Sequence, residues 1–145
     1  MMISTKGRYA LRLLVDIAQH QHEGNARLKD TAKRQEISEK YLEAIVKELV
    51  QAQILKSIHG RGGGYRLNLP ASQIRLWNVL SIAEGGLAPV ACLENKDYNC
   101  PRKEHCPTLP LWKGLEQTVS AYLKQFTLQD LLDGAIDPEA QSSSR

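Results

Sequence analysis

The sequence of 145 residues lacks the features of several common protein classes. It has no run of 18 apolar residues, which excludes an ordinary transmembrane helix. Charged side chains at Lys6, Arg8, Arg12 and Asp16 interrupt the N-terminal stretch that a signal peptide would keep uncharged. No Ser/His/Asp, Cys/His/Asn or paired-carboxylate arrangement stands out, so nothing favours an enzyme. We therefore expect a cytoplasmic protein that does not bind to membranes and is not an enzyme.

The segment GRGGGY, residues 60–65, does not have the sequence of a nucleotide-binding loop. A Walker loop needs Gly-Lys-Ser or Gly-Lys-Thr before a helix, and a dinucleotide fingerprint needs its third glycine where Tyr65 stands. The glycines are better explained as the tip of a β-hairpin whose backbone approaches DNA closely. Arg61 is then placed to enter a narrow minor groove. A plain flexible hairpin is the alternative.

Cysteine is also scarce: the chain has three, Cys92, Cys100 and Cys106. Three is odd for disulfides and one short of the four thiolates of a closed zinc site. In a reducing compartment such a cluster favours metal binding or redox work. An iron–sulfur cluster, of a two-iron or four-iron form, accepts three thiolates and a variable fourth ligand. Zinc, for which only the adjacent His105 is at hand, and metal-free redox thiols are the alternatives.

The charge is unevenly distributed along the chain. Through Leu69 there are 12 lysines and arginines against 7 acidic residues, and from Pro70 onward there are 7 against 9. A basic front half suits binding to nucleic acid, although an ordinary solvated surface would give the same count.

Hydrophobic periodicity predicts a mainly α-helical fold with one small β-hairpin. Near the N-terminus, a first helix is followed by a short helix at about residues 28–34. A tight turn then leads to a helix that Ser38 caps, with Ile37 and Leu42 placed as a hydrophobic staple. This order, completed by the hairpin, is that of a winged helix-turn-helix, in which the helix after Ser38 reads the major groove.

The winged helix predicts the side chains that contact double-stranded DNA. The reader helix presents its first turns to base edges, and the hairpin reaches the neighbouring minor groove. The expected DNA-binding residues are Ser38, Glu39, Lys40, Tyr41, Glu43, Lys47, His59 and Arg61.

The second half of the chain predicts a further helix at about residues 72–84, a long helix at 111–125 and a short last helix capped by Thr127. The long helix carries an apolar stripe that is long enough to cross a second copy, although a core within one chain is the alternative. We expect a homodimer on a palindromic operator. The stripe consists of Leu111, Leu115, Val119, Tyr122 and Phe126.

These elements predict four regions. Residues 1–84 form a winged helix-turn-helix domain, with the helix-turn-helix at about 28–51 and the wing at about 54–69. Residues 85–110 form a cysteine loop that binds the cluster. Residues 111–133 form the dimerisation helix and the short last helix. Residues 134–145 form a polar tail that we expect to be disordered.

Four stretches resemble the Rrf-2-type bacterial transcription regulators, most closely their IscR branch of iron–sulfur regulators. They are STKGRYALRLLVDIA, ISEKYLEAIVKELVQAQIL, GRGGGYRL and the three cysteines followed by PTLPLW, and the resemblance covers about residues 2–133. It implies a dimeric DNA-binding regulator with a long crossing helix, and we expect this regulator to be a repressor. Where three cysteines are present it also implies an iron–sulfur cluster that adjusts operator affinity to iron–sulfur, iron or redox and nitrosative status.

The resemblance assigns roles to several residues. Cys92, Cys100 and Cys106 match the cluster ligands of the family. Glu43 matches a reader-helix glutamate that accepts a hydrogen bond from cytosine, and Tyr41 lies beside the DNA backbone in such helices. A cluster-free regulator controlled by a protein partner, such as a cysteine-synthesis enzyme, is a second possibility within the family. An iron–sulfur redox protein is a third, against which the winged helix argues.

The sequence also departs from the family pattern. Leu109 replaces the histidine that completes the cluster in the IscR branch, and Arg8 replaces the aspartate that nitric-oxide-sensing relatives supply from a partner subunit. The wing arginine of the IscR branch is His59, with Arg61 nearer the tip, and the first cysteine gap is two residues longer. The fourth ligand therefore stays open between a residue of the partner subunit, an exogenous small ligand, and the nearby Glu94, Asp97, Glu104 and His105.

Overall fold

A computed structural model of the chain describes residues 3–94 and 99–140. This part is mainly α-helical, with one two-stranded antiparallel sheet, which confirms the predicted fold class. Three short 3-10 turns lie at Gln21–Glu23, Ala71–Gln73 and Lys103–His105. The helices and strands are α1 Thr5–His20, α2 Leu28–Gln35, α3 Glu39–Gln51, β1 Leu55–Ile58, β2 Gly64–Leu67, α4 Leu76–Glu84, α5 Ala91–Glu94, α6 Leu109–Gln125 and α7 Leu128–Leu132.

Helices α1 and α3 form the centre of the core, as their apolar periodicity predicts. Leu13 and Leu14 of α1 and Leu42 and Ile45 of α3 are almost completely buried. Their opposite faces carry polar residues that remain in contact with water, which is why each helix forms one half-buried element.

The turn between α2 and α3 is tight. Glu36 takes a left-handed conformation with φ of 55°, which ends α2 at once. Ile37 then enters the core, and the Ser38 hydroxyl accepts a hydrogen bond from the Tyr41 backbone N–H at 3.3 Å. This cap and the burial of Ile37 and Leu42 agree with the predicted start of the reader helix.

The hairpin is anchored to the rest of the domain by a third backbone segment. Strands β1 and β2 pair from Leu55 opposite Leu67 to Ile58 opposite Gly64. Ala26 exchanges two backbone hydrogen bonds with Tyr65, at 2.8 and 2.7 Å. A Cβ atom on Gly64 would lie 2.5 Å from the Ala26 carbonyl oxygen, so only glycine permits this approach. The wing therefore has a fixed base and an exposed tip at residues 59–62.

Helix α4 begins four residues later than predicted. The chain forms a 3-10 turn and then runs extended at Ile74 and Arg75, where it pairs with the segment before α7. The Leu128 N–H donates to the Ile74 carbonyl at 2.8 Å, and the Leu76 N–H donates to the Phe126 carbonyl at 3.1 Å. This long-range pairing has no local periodic signal in the sequence, so the residue pattern could not predict it.

The C-terminal elements return to the winged-helix core. Thr127 and Asp130 form a capping box at the start of α7, and Leu128 is fully buried in the same cluster as α1 and α3. Residues 134–140 form neither helix nor strand, and the predicted disorder at 141–145 lies outside the described residues. Among the helices of the described ranges, none has the length and apolar character needed to cross a membrane.

Candidate DNA interface and cysteine pocket

The predicted DNA-binding side chains are all exposed to solvent. Helix α3 buries its apolar stripe in the core, and the hairpin follows it in the chain. Every residue predicted to contact DNA is exposed: Ser38, Glu39, Lys40, Tyr41, Glu43, Lys47, His59 and Arg61.

The reader helix and the wing also face a common groove. Glu43 and Lys47 line it from α3, while Ser57 and Tyr65 line it from the two strands. The groove has a volume of about 260 Å³ and an apolar floor that includes Val46. Helix and hairpin thus form a continuous concave surface, which is the arrangement that a winged helix uses on duplex DNA.

Contacts from α1 hold helix α3 in place, and the local residue pattern does not indicate them. The Lys6 ammonium lies 2.6 Å from the Glu48 carboxylate. The ring of Tyr9 meets the ring of Tyr41 edge to face, with centroids 5.6 Å apart. Lys6 and Glu48 are 42 positions apart in the sequence, and Tyr9 and Tyr41 are separated by a comparable distance, so no local spacing indicates either contact.

Asp16 is the buried carboxylate of α1, with 1% of its surface exposed. Arg34 donates two hydrogen bonds to it, at 3.0 and 2.8 Å, and Gln35 donates a third at 3.1 Å. Burial alone would raise the Asp16 pKa, but the hydrogen bonds from Arg34 and Gln35 outweigh it, so the pKa lies below the ordinary value. In the sequence, Asp16 stands out because it is a charged residue within the apolar stripe that includes Leu13 and Ile17.

The three cysteines line one pocket, which has a volume of about 100 Å³. Cys92 reaches it from α5, Cys100 from the loop, and Cys106 from just before α6. All three are free thiols with partly exposed side chains. The rest of the lining is contributed by Leu93, Lys103, Leu109 and Lys113.

The environment of Cys106 favours its thiolate form. Its sulfur lies 3.3 Å from the Thr108 hydroxyl. Hydrogen bonds from the Thr108 side chain and backbone are the main causes of a lowered Cys106 pKa, and the charge of Arg102 contributes. Because the thiolate is the form that ligates metals, this environment suits a metal ligand.

The donor set is suited to an iron–sulfur cluster, but the described residues do not form a closed metal site. In residues 3–94 and 99–140, no group of three His, Cys, Asp or Glu side chains is arranged to hold a metal ion. Of the candidate fourth ligands, Glu104 lines a second recess beside Cys100, while Glu94 and His105 are exposed. Asp97 lies outside the described residues. Among the described residues, the three thiols are thus the candidate donors that one pocket brings together.

Helix α6 leaves much of its apolar stripe uncovered. Leu111 is 63% exposed, Leu115 40% and Tyr122 38%. Val119 is half-buried, and Phe126 packs edge to face on Tyr122 with centroids 5.1 Å apart. An exposed row of large apolar side chains on one helix is typical of a protein interface.

Comparisons with known proteins agree with this architecture. A family model described as an iron-dependent transcriptional regulator, Rrf2, matches residues 3–134. The chain is 38% identical over 140 residues to the protein rrf2 of Nitratidesulfovibrio vulgaris, covering 96% of this chain and 93% of the relative. It is 35% identical over 144 residues to IscR of Aliivibrio salmonicida, covering 99% and 83%.

A solved structure extends the similarity to three dimensions. CymR, the global cysteine regulator of B. subtilis, matches with a TM-score of 0.73 at 34% identity, over 94% of this chain and 99% of that one. These relatives are transcription regulators and not enzymes, as the sequence predicted for this chain. The chain belongs to the Rrf2 family of winged-helix, DNA-binding transcription regulators.

Proposed function

We propose that this protein is a homodimeric repressor whose affinity for a palindromic operator is controlled by an iron–sulfur cluster. The observation that carries the proposal is the meeting of Cys92, Cys100 and Cys106 in one pocket beside the first turn of α6. Similarity to IscR of Aliivibrio salmonicida supports the same cofactor.

The three cysteines would hold the cluster as thiolates. Lys103 and Lys113 line the same pocket. Their positive charges would stabilise the thiolates, which would otherwise repel one another. When bound, an iron–sulfur cluster supplies a group that reacts with oxidants or nitric oxide and is lost when iron is short. Leu109 lines the pocket with an apolar side chain and cannot be the fourth ligand.

The position of the cysteine loop suggests how its state would reach DNA. The loop begins after Glu84, the last residue of α4, and ends where α6 begins. Helix α4 packs against both α1 and α3, and α6 packs against α4. Closing the loop around a cluster would therefore bias helices that support the reader helix. Control of this kind requires the cluster to bind one conformation better than the other, typically by about 1–3 kcal/mol.

The exposed residues of α3 and the wing would divide the work on DNA. Glu43 would accept from a cytosine amino group in the major groove, and Arg61 would enter the minor groove. The lysines Lys40 and Lys47, with the N-terminal backbone of α3 at Ser38, would contact phosphates. Tyr41 would lie beside the backbone, and the remaining predicted contacts are Glu39 and His59.

Chemical analysis of the protein tests the cofactor. Purification and reconstitution without oxygen should give a coloured protein containing iron and acid-labile sulfide, and replacement of all three cysteines by serine should abolish both. Ser72→Ala is a control, because Ser72 is exposed and does not line the pocket, so this variant should keep the wild-type content of iron and sulfide. A colourless wild-type protein would remove the cluster from the account and leave DNA binding intact.

A second candidate function keeps the fold and omits the cofactor. The structural likeness to CymR and the apolar Leu109 in the pocket favour a regulator controlled by a protein partner, such as an enzyme of cysteine synthesis. The triple cysteine variant separates the two candidates, since regulation that persists in that variant would support control by a partner.

A further inference from the structure

Three residues of α1 form a ridge along one side of that helix. Tyr9, Arg12 and Asp16 are spaced by three and four positions, so they lie on the same helical face. All three contact the helix-turn-helix that follows α1. We call Tyr9, Arg12 and Asp16 the α1 ridge.

The buried end of the ridge holds the end of α2. The Asp16 carboxylate receives two hydrogen bonds from Arg34 and one from Gln35, which are the last two residues of that helix. These are charge-assisted hydrogen bonds at a buried acceptor, the kind with the strongest directional preference.

Arg12, in the middle of the ridge, also binds Gln35. The Arg12 guanidinium donates through Nε to the Gln35 side-chain oxygen at 3.1 Å and through a terminal nitrogen to the Gln35 backbone carbonyl. Gln35 is thus gripped by both Arg12 and Asp16. Because Glu36 turns sharply straight afterwards, the direction in which α3 leaves depends on the position of Gln35.

The outer end of the ridge reaches the reader helix itself. The Arg12 guanidinium lies over the Tyr9 ring, 5.3 Å from its centroid, and the Tyr9 ring meets Tyr41 edge to face. Tyr41 belongs to the first turn of α3, where its backbone N–H is bonded to the Ser38 cap. The ridge therefore contacts both sides of the turn between α2 and α3.

We propose that the α1 ridge determines base specificity by setting the angle at which α3 enters the major groove, and that Tyr9 and Arg12 are its positioning residues. The proposal rests on the proposed placement of α3 on DNA. Hydrogen bonds to base edges need close and aligned geometry, whereas phosphate contacts made by long cationic side chains tolerate small shifts. Loosening the ridge should thus weaken binding to the preferred sequence more than binding to random DNA.

The experiment uses the full-length dimer and two DNA probes. One probe is the duplex that the wild-type protein selects from a random-sequence library, and the other is a random duplex of equal length. Affinities are measured over a range of salt concentrations for Arg12→Gln, Arg12→Lys and Tyr9→Leu. Arg12→Gln should lower affinity for the selected duplex by roughly tenfold while leaving random DNA nearly unchanged, because a misplaced base contact costs about this much. Arg12→Lys should not rescue specificity, because an ammonium cannot make the paired contacts to Gln35.

The salt dependence separates positioning from direct contact with DNA. If Arg12 positions α3, the slope of log affinity against log salt stays at its wild-type value. A slope reduced by about 0.9, with equal losses on both probes, would show a direct phosphate contact and overturn the proposal. Gln35→Ala supplies a second test, since its loss and that of Arg12→Gln should be strongly non-additive on the selected duplex. Additive losses would also overturn the proposal.

Two further results are distinguishable from these. A wild-type protein that does not discriminate between the probes would contradict the proposed function itself. The other result is that Tyr9→Leu and Arg12→Gln are folded and prefer the selected duplex over random DNA as strongly as the wild-type protein does. This would leave the proposed function standing and would show that the α1 ridge does not determine base specificity. Thermal unfolding of each variant confirms that the comparison is made on folded protein.

Discussion

Asp16 shows what a single residue contributes to this domain. Its position in the apolar stripe of α1 is visible in the sequence. Its hydrogen-bond donors belong to α2, and the sequence does not indicate them. Periodicity predicts which residues are buried because burial follows the helical repeat. It does not predict which distant side chains meet, because those contacts depend on how helices cross.

The ion pair between the buried Asp16 carboxylate and the exposed Arg34 predicts a pH-dependent stability. Asp16→Asn should lower the free energy of unfolding near neutral pH by roughly 2 kcal/mol, because it removes the buried charge to which Arg34 and Gln35 donate hydrogen bonds. The folded-state pKa of Asp16 lies below the ordinary value of 3.8, so this stabilisation is present above that value and is lost as pH falls below it. Urea unfolding at about pH 7 and about pH 3 checks this, and the difference in stability between the two proteins should be clearly smaller at the lower pH.

The matched control is Asp30→Asn, which alters an exposed carboxylate on the same helix as Arg34. It should change stability by less than about 1 kcal/mol at either pH. A loss for Asp16→Asn that is equally large at both pH values would contradict the assignment of the ion pair.

Replacing Glu43 and replacing Arg61 should impair DNA binding in different ways: the first should reduce base preference and the second should reduce affinity. Glu43→Ala should broaden base preference at one position and cost little on random duplexes, because a carboxylate reads a base and repels phosphate. Arg61→Ala should weaken binding by roughly tenfold, most on sites with narrow A·T-rich minor grooves. Binding-site selection with each variant tests the pair, and equal losses of Glu43→Ala on selected and random DNA would contradict its role.

At the scale of elements, local chemistry specified most of the fold. The Ser38 cap, the hairpin glycines and the Thr127 cap each predicted a boundary that the structure has, since a cap or a turn depends on a few adjacent residues. The start of α6 at Leu109, two residues before the predicted start, reflects Pro110, which fits the first turn of a helix. The late start of α4 and the return of α7 depend on long-range pairing.

A contact between the end of α4 and the start of α1 could not be predicted from the local sequence either. Glu84, at the C-terminal end of α4, accepts hydrogen bonds from the Ser4 backbone and hydroxyl at 3.0 and 2.7 Å. A carboxylate at the end of its own helix is unfavourable, but the same group lies at the positive N-terminus of α1. Glu84 thereby joins the start of the cysteine loop to α1.

Gly7 makes this contact testable. A Cβ atom on Gly7 would lie 2.3 Å from a Glu84 carboxylate oxygen, so Gly7→Ala must displace Glu84. We expect a net loss of about 1 kcal/mol, because the lost hydrogen bonds to a charged group exceed the helix propensity that alanine gains. In a Glu84→Ala background, the same change should become neutral or stabilising. Chemical denaturation of the four proteins measures the cycle, and equal effects of Gly7→Ala in both backgrounds would contradict the clash.

At the scale of the whole molecule, α6 predicts the oligomeric state. Leu115→Arg places a charge in the uncovered stripe and should convert the proposed dimer to a monomer, with a loss of operator affinity, because two linked half-sites bind more tightly than one. The matched control is Gln117→Arg, which adds the same charge to the opposite side of the helix. Sedimentation equilibrium tests this, and a wild-type monomer or a dimeric Leu115→Arg variant would contradict the interface.

We propose above that the state of the cysteine pocket changes the affinity of this protein for DNA. The measurement that tests it most directly compares operator affinity before and after anaerobic reconstitution, in the wild-type protein and in the variant with Cys92, Cys100 and Cys106 replaced by serine. Reconstitution should change the wild-type affinity by roughly fivefold or more, and it should leave the serine variant unchanged. If the wild-type protein binds the operator equally well with its full content of iron and sulfide and without any, the cysteine pocket does not control binding to DNA.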